Sequence, residues 1–231
     1  MSYMQDVPVR NKDLLTRLDR YKDLLTRDVD NFKRVFHASC SEHKSQRDYW
    51  TGLRHLEEIQ SQRTAHEGFP DTMYGYELST HRKNHEFFSN RATPMERKDL
   101  TAELAFMNED LISWLGVRHN ALTAYYPPGG FISWHNNANA PAYNLIFTWS
   151  EDSRGHFDYV DPITKEVVKM QDKVGWQCKA AYFGHYEEPE RLFYHSASTD
   201  CWRCTVSFTL NTSELSAEVR EDLIEEISSE E

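Results

Sequence analysis

From Gly116 onward the chain breaks into short segments rich in aromatic and β-branched residues, each closed by a turn signal. "ALTAYY", "FISWH", "YNLIFTW", "HFDYV", "EVVKM", "WQCKAAYF", "RLFYHSA" and "WRCTVSFTL" are separated by "PPGG", "NNANAPA", "SEDSRG", "DPITK" and "EEPE". None is long enough for an ordinary helix, and Pro, Gly, Asn and Asp punctuate the gaps. Eight such strands within about ninety residues cannot form a parallel sheet, which needs long crossovers. They predict an antiparallel sandwich or jelly roll, in an α+β chain whose helices pack outside it.

The first half supplies those helices. Leu14, Leu18, Tyr21, Leu25, Phe32 and Phe36 draw one apolar stripe, and Tyr49, Leu53, Leu56 and Ile59 draw a second, so residues 10–62 read as helical. "KDLLTR" occurs at 12–17 and again at 22–27, but a ten-residue offset is neither a heptad nor an eleven-residue repeat, so it marks helical composition only. A third helix is signposted by Thr93 as N-cap, Pro94 at its first position, Glu96 as capping-box partner and Gly116 past its end. Residues 67–92 read as irregular, and a last helix is expected from near Ser213. The resulting division is a helical region over 1–118, a strand-rich core over 119–211, and a C-terminal helix and acidic tail over 212–231.

Charge and composition exclude several classes. The formal net charge is −11, and residues 212–231 hold eight acids against the single base Arg220, so −7 of it lies in the tail, which reads as a solvated segment. The remainder is nearly balanced and has no basic stripe, which disfavours nucleic acid as a partner. No run approaches a membrane span and the first residues lack a signal-peptide core, so the expectation is a soluble, cytoplasmic protein. Cys40, Cys178, Cys201 and Cys204 are too scattered for a disulfide framework, and the CxxC of "CWRC" opens a strand rather than a helix.

Three features carry chemistry, in a fixed order. His135 follows the glycine turn of "YYPPGGFISWHNN", His195 lies in "RLFYHSAS", and Arg203 stands eight residues later in "WRCTV". This order resembles the iron(II)- and 2-oxoglutarate-dependent oxygenases, and within them the prolyl-hydroxylase-like branch with its Y-x-x-G-x-x-x-x-x-H-x-D pattern. The matching positions are Tyr126, Gly129, His135 and Asn137. The likeness runs from about Tyr125 to Phe208 and implies a double-stranded β-helix, a jelly roll of about eight strands. It further implies iron(II) on His135, Asn137 and His195, with 2-oxoglutarate as cosubstrate held by Arg203, Thr205 and Tyr126. The implied reaction converts the cosubstrate to succinate and CO2 while an unactivated C–H bond of a small-molecule or peptide substrate is hydroxylated. Two histidines and a carboxylate leave open metal positions for cosubstrate and oxygen, and arginine meets a carboxylate through two parallel hydrogen bonds.

Asparagine stands where that family has its aspartate. Asn137 offers an amide oxygen and no charge, so three outcomes are open: ligation through that oxygen, a position left to water or an anion, or a site that binds without iron. His156 and Asp158 in "GHFDYVD" form an intact but differently placed HxD, and Glu151 or Asp152 could bring a carboxylate from the preceding loop. Trp134, Tyr143, Trp149, Trp176, Tyr182 and Tyr194 are candidate pocket aromatics, and Asn139 and Asn144 lie near the motif. The stripe-bearing helices could cover the sheet, form a lid or mediate oligomers. An oxygenase and a non-catalytic jelly-roll binding module both remain as functions.

Overall fold

The computed structural model describes residues 3–27, 46–62, 73–77, 94–210 and 217–230. Four helices are delimited there: α1 (Lys12–Thr26), α2 (Leu53–Gln62), α3 (Pro94–Leu115) and α4 (Ala217–Ser228). The strands are β1 (Gln5–Pro8), β2 (Met73–Tyr74), β3 (Tyr76–Glu77), β4 (His119–Tyr126), β5 (Phe131–His135), β6 (Ala142–Ser150), β7 (Gly155–Val160), β8 (Val167–Gln171), β9 (Gly175–Phe183), β10 (His195–Thr199) and β11 (Arg203–Leu210). Each of the eight predicted segments overlaps one of β4 to β11, though β10 begins only at His195, so the first four residues of "RLFYHSA" lie outside it. Strands β1, β2 and β3 were not expected; the last two are two-residue pieces inside the stretch read as irregular.

The strands form two antiparallel sheets, a six-stranded one in the order β1-β9-β6-β11-β4-β3 and a five-stranded one in the order β2-β5-β10-β7-β8. This arrangement is consistent with a jelly roll. The outer face of the larger sheet is covered by α1 and α3: Leu14, Leu18, Tyr21, Leu104 and Leu111 pack with Phe147, Cys204, Val206 and Phe208. Between the sheets lie Tyr126, Ile146 and Phe183 from one side and Ile132, Phe157 and Tyr159 from the other. Leu56 and Ile59 of α2 cover Trp134, Val160 and Tyr194 on the outside of the smaller sheet.

Strand β11 shows how sequence sets the layers. Cys204, Val206, Phe208 and Leu210 face the helices, while Arg203, Thr205, Ser207 and Thr209 face the other sheet and are also buried. A strand covered on both faces usually reads as one apolar run. Here every second residue is polar, so the space between the sheets is built for something other than hydrocarbon packing.

Several expectations change. The acidic tail is not simply solvated, because Ile227 of α4 is fully buried and its carbonyl accepts from the Arg10 and Asn11 amides at 3.0 and 3.3 Å. Leu223 and Ile224 pack partly buried against the same core, so one apolar edge docks an otherwise charged helix. The first stripe runs through Leu24, which is buried; Phe32, Phe36, Thr93, Ser213, Cys40 and the side chains of Leu25 and Glu96 lie outside the described residues. Cys178, Cys201 and Cys204 are buried free thiols. Cys204 packs toward the helices while Cys201 sits 3.3 Å from the Ser150 hydroxyl, so the CxxC pair does not converge on one point.

Candidate functional site

The turn "PPGG" sets the first strand of the site. Gly129 has φ +86°, a left-handed backbone that side chains resist, and its amide donates to the Thr199 carbonyl at 2.8 Å. The Thr199 amide returns a bond to the Gly130 carbonyl at 2.9 Å. The turn is thereby locked to the end of β10, which fixes β5 against it.

Within that pair, Ile132 faces Ala197 and His135 faces His195, so three residues on β5 span two on β10. Strict alternation from the inward Ile132 would send position 135 outward. The bulge restores it to the inside, as bulges commonly re-aim a side chain beside a site. The two imidazoles are buried with ring centroids 4.1 Å apart. Nδ1 of His135 lies 2.8 Å from the Ser133 carbonyl oxygen, and Nδ1 of His195 lies 3.2 Å from that of Phe193. A carbonyl can only accept, so each Nδ1 carries the proton and each lone pair lies on Nε2. That is the tautomer a metal-binding histidine needs, fixed by a carbonyl behind it. Burial, reinforced by any charge on His135, pulls His195 well below the ordinary imidazole value, so it is neutral at physiological pH. Phe157, Phe183 and Phe193 stand around His195 at 5.6, 4.7 and 5.6 Å.

Asn137 does not continue this strand. β5 ends at His135, the Asn136 side-chain oxygen accepts from the Ala138 amide at 3.1 Å, and the half-buried Asn137 lies in the turn that this bond starts. Among the described residues no three His, Cys, Asp or Glu side chains gather as a metal site.

His156 and Asp158 are excluded from the histidine pair by parity. β7 pairs Tyr159 with His195 and Phe157 with Ala197, so the alternate residues His156 and Asp158 point to the outer face with Ser198 and Ser196. There His156 Nε2 lies 3.3 Å from Asp158 Oδ2 and 3.0 Å from Ser198 Oγ. Glu151 and Asp152 are also elsewhere: Glu151 accepts from the Trp202 amide and Asp152 pairs with Arg154 at the surface.

The second part of the site is cationic. Arg203 is 2% exposed and donates from Nε to Asp172 Oδ2 at 2.7 Å, from Nη1 to Thr205 at 2.7 Å and from Nη2 to Thr148 at 3.3 Å. Its guanidinium carbon lies 5.7 Å from the centre of the Tyr126 ring, whose hydroxyl reaches the Met73 sulfur at 3.9 Å. The other Asp172 oxygen accepts from Lys179 Nζ at 3.1 Å, and Gln177 accepts from the same ammonium at 3.2 Å. Burial pushes the Asp172 carboxyl up, but Arg203 and Lys179 outweigh it and hold the group below the usual carboxylate range. Arg203, Thr205 and Tyr126 therefore do come together. Asp172 and Lys179, which complete the group, were missed, because an acid in the turn "QDKVG" and a lysine in "WQCKAAYF" carry no motif.

Thr199 closes the distance between the two parts. It is four residues from His195 on β10, and a β-carbon on its partner Gly155 would lie 3.1 Å from its hydroxyl and 3.3 Å from Arg203 Cδ. Four strand residues span roughly 13 Å. Between them the inward residues are small: Ala124, Ala181 and Ala197. The tryptophans do not line this space. Trp149 and Trp176 pack on the helix side, as does Tyr143, while Trp134 and Tyr194 lie on the outer face and Tyr182 stacks under Arg191. Asn144 is buried and bonds the Ala142 carbonyl, and Asn139 is exposed. The interior aromatics are Tyr126, Phe157, Tyr159, Phe183 and Phe193.

No protein-family model and no curated protein matches the chain. Among solved structures it is similar to a prolyl-4-hydroxylase of Pseudomonas putida at 12% identity, with 91% of this chain and 94% of that one covered and a TM-score of 0.36. A rice dioxygenase for auxin oxidation overlaps 76% of this chain and 70% of its own at 14% identity and TM-score 0.31. A ribosomal oxygenase of Escherichia coli overlaps 50% of this chain at 15% identity and TM-score 0.29; the match spans 29% of that longer protein. Among the described residues no helix is long and apolar enough to cross a membrane.

Proposed function

We propose that the chain is an iron(II)- and 2-oxoglutarate-dependent oxygenase built on a double-stranded β-helix of strands β4 to β11, with residues 1–118 packing over the core and 212–231 closing it. The observation that carries this reading is the cross-strand pair His135 and His195: buried, 4.1 Å apart, and both held with the lone pair on Nε2. Imidazole nitrogens suit ferrous iron. His135 and His195 would hold the metal, with the Asn137 amide oxygen or water in the third protein position.

Iron(II) bound there supplies oxygen activation coupled to decarboxylation of 2-oxoglutarate. The chain's own residues do the positioning. Neutral His195 needs no deprotonation before it ligates. Arg203 faces the same interior from the opposite sheet, braced on Tyr126 and bonded to Thr205, and would take the far carboxylate of the cosubstrate. Phe157, Phe183 and Phe193 keep water from the histidines. The substrate is a small molecule or peptide, and the N-terminal helices are the surface on which copies would associate.

Anaerobic titration with Fe(II) and 2-oxoglutarate tests the reading. A weak visible charge-transfer band and slow succinate formation in air are expected from the wild-type chain, and neither from His195→Ala. Absence of both in the wild type would favour a second reading, a non-catalytic binding module. The observation behind that alternative is that Arg203 already has a carboxylate partner in Asp172 and Asn137 brings no charge.

A further inference from the structure

Strand β11 lies between β6 and β4, and one of its faces is sealed by helices, where Val206 and Phe208 are 0% exposed. Ser207 and Thr209 nevertheless keep 7% each. With both strand edges paired, that surface can open only toward the opposite sheet. Across from it His135 and His195 keep 5% and 6%. Thr209 faces Asn144 on β6, and Asn144 faces Ala181 on β9, two residues from Phe183, whose ring lies 4.7 Å from His195. Toward Arg203 the same interior closes, since Thr148 and Lys179 fall to 0% and 1%. The sheets therefore enclose a crevice that is open at the histidine end.

This open end is polar but carries no charge. Asn144, Ile146, Ala181, Phe183, Ser207 and Thr209 face it from the larger sheet, and among the described residues of these strands no Lys, Arg, Asp or Glu joins them. Asp161, just past β7, spends its oxygens on the Ile163, Thr164 and Tyr3 amides, and Glu188 pairs with Arg191 at the rim. A charge brought in here would be buried without a partner, which is expensive.

Two hydrogen-bonding groups stand ready instead. Asn144 Nδ2 donates to the Ala142 carbonyl at 2.9 Å, which fixes the amide orientation and leaves Oδ1 as an acceptor. Ser207 lends its backbone carbonyl to Asn120 at 3.1 Å and keeps its hydroxyl, whereas the Thr209 hydroxyl is engaged with His119. Neither Asn144 Oδ1 nor Ser207 Oγ is sealed and unpartnered as Asp158 Oδ1 and Ser196 Oγ are, so both reach the crevice. Ser207 sits opposite Ile146, which makes it the diagonal neighbour of Asn144, roughly 7–8 Å away.

Resting on the oxygenase reading above, we propose that the open end of the crevice takes an uncharged substrate group presenting the N–H and C=O of an amide, with Asn144 and Ser207 the residues that select it. The N–H donates to Asn144 Oδ1, and the C=O accepts from the Ser207 hydroxyl. A carboxylate or an ammonium in the same place meets no opposite charge.

Saturation-transfer NMR on the whole, metal-free chain tests the selection with three probes of one skeleton: N-acetylglycine methylamide, which is uncharged, N-acetylglycine, an anion, and glycine methylamide, a cation. The uncharged probe should bind at least about tenfold tighter than either ion. Equal affinities, or no binding of the uncharged probe, overturn the proposal. Asn144→Leu and Ser207→Ala should each weaken the uncharged probe by about two- to tenfold, the worth of one hydrogen bond, and leave the ions unchanged. Asn144→Asp should bring in the cation. Undiminished binding of the uncharged probe in both neutral variants, with their melting curves intact, puts the probe elsewhere and overturns the selection. If the Asn144 variants fail to fold, Ser207→Ala and the wild-type series still decide. Preference for the uncharged probe without succinate formation from 2-oxoglutarate in air keeps the amide seat and removes the oxygenase reading; succinate formation without that preference does the reverse.

Discussion

Gly155 and Asp172 approach so closely that a β-carbon at position 155 would stand 2.5 Å from Asp172 Oδ2, the oxygen that takes the Arg203 Nε bond. Asp172 can enter the interior only because residue 155 has no side chain. Gly155→Ala should therefore expel the carboxylate and cost about 1–3 kcal/mol, the usual range for overpacking a filled core. Urea denaturation measures it. A loss of only a few tenths would mean that Asp172 is not held where Arg203 needs it.

Asn137→Asp should tighten Fe(II) binding, since it returns a negatively charged oxygen to the turn after β5. The gain depends on that turn letting residue 137 swing toward His135. Anaerobic metal titration compares the two chains, and weaker binding in the aspartate variant would show that the asparagine serves a purpose a carboxylate cannot.

Acid should weaken the fold through Asp172. Its folded-state carboxyl lies below the ordinary value of 3.8, so its ionised form contributes stability at neutral pH that is lost as pH falls through and below that value. The stability difference between wild type and Asp172→Asn should shrink as pH drops from 5 toward about 2. A difference constant over that window would place the effect in packing rather than in charge.

The outer-face pair gives an internal control. Asp158 Oδ1 and Ser196 Oγ are buried without a hydrogen-bond partner, on cross-strand neighbours. Asp158→Asn supplies a donor between them and should be neutral or stabilising by up to about 1 kcal/mol. Iron affinity should not change, and a clear loss of it would contradict the outward orientation of His156 and Asp158.

Ile227→Ala should release α4. The side chain is fully buried, and truncating a buried isoleucine costs about 2–5 kcal/mol. Hydrogen exchange at the Arg10 and Asn11 amides, which donate to the Ile227 carbonyl, should accelerate more than exchange in β6 or β11.

Strands β4 to β11 were legible because turn residues and β-branched runs are local signals, and so was the inward face of Arg203 and Thr205, which follows from period-two alternation. The α1 stripe was legible for the same kind of reason. β1 was not, since "QDVP" has too few apolar residues to announce a strand, and only the edge of β9 recruits it. The docking of α4 was not anticipated because the many acids around Leu223, Ile224 and Ile227 read as a solvated segment, although those three recur at helical spacing.

The sequence by itself determined the strand-rich core, its helical cover and the residue types available for chemistry, all consequences of local periodicity and turn chemistry. Tertiary structure decided which of those residues meet. The β5 bulge turns His135 inward onto His195, the pairing of β7 with β10 turns His156 and Asp158 outward, and Asp172 reaches Arg203 and Lys179 from thirty-one and seven residues away. Such contacts depend on strand register and on the space left by Gly155, and register belongs to pairs of strands that no single segment encodes.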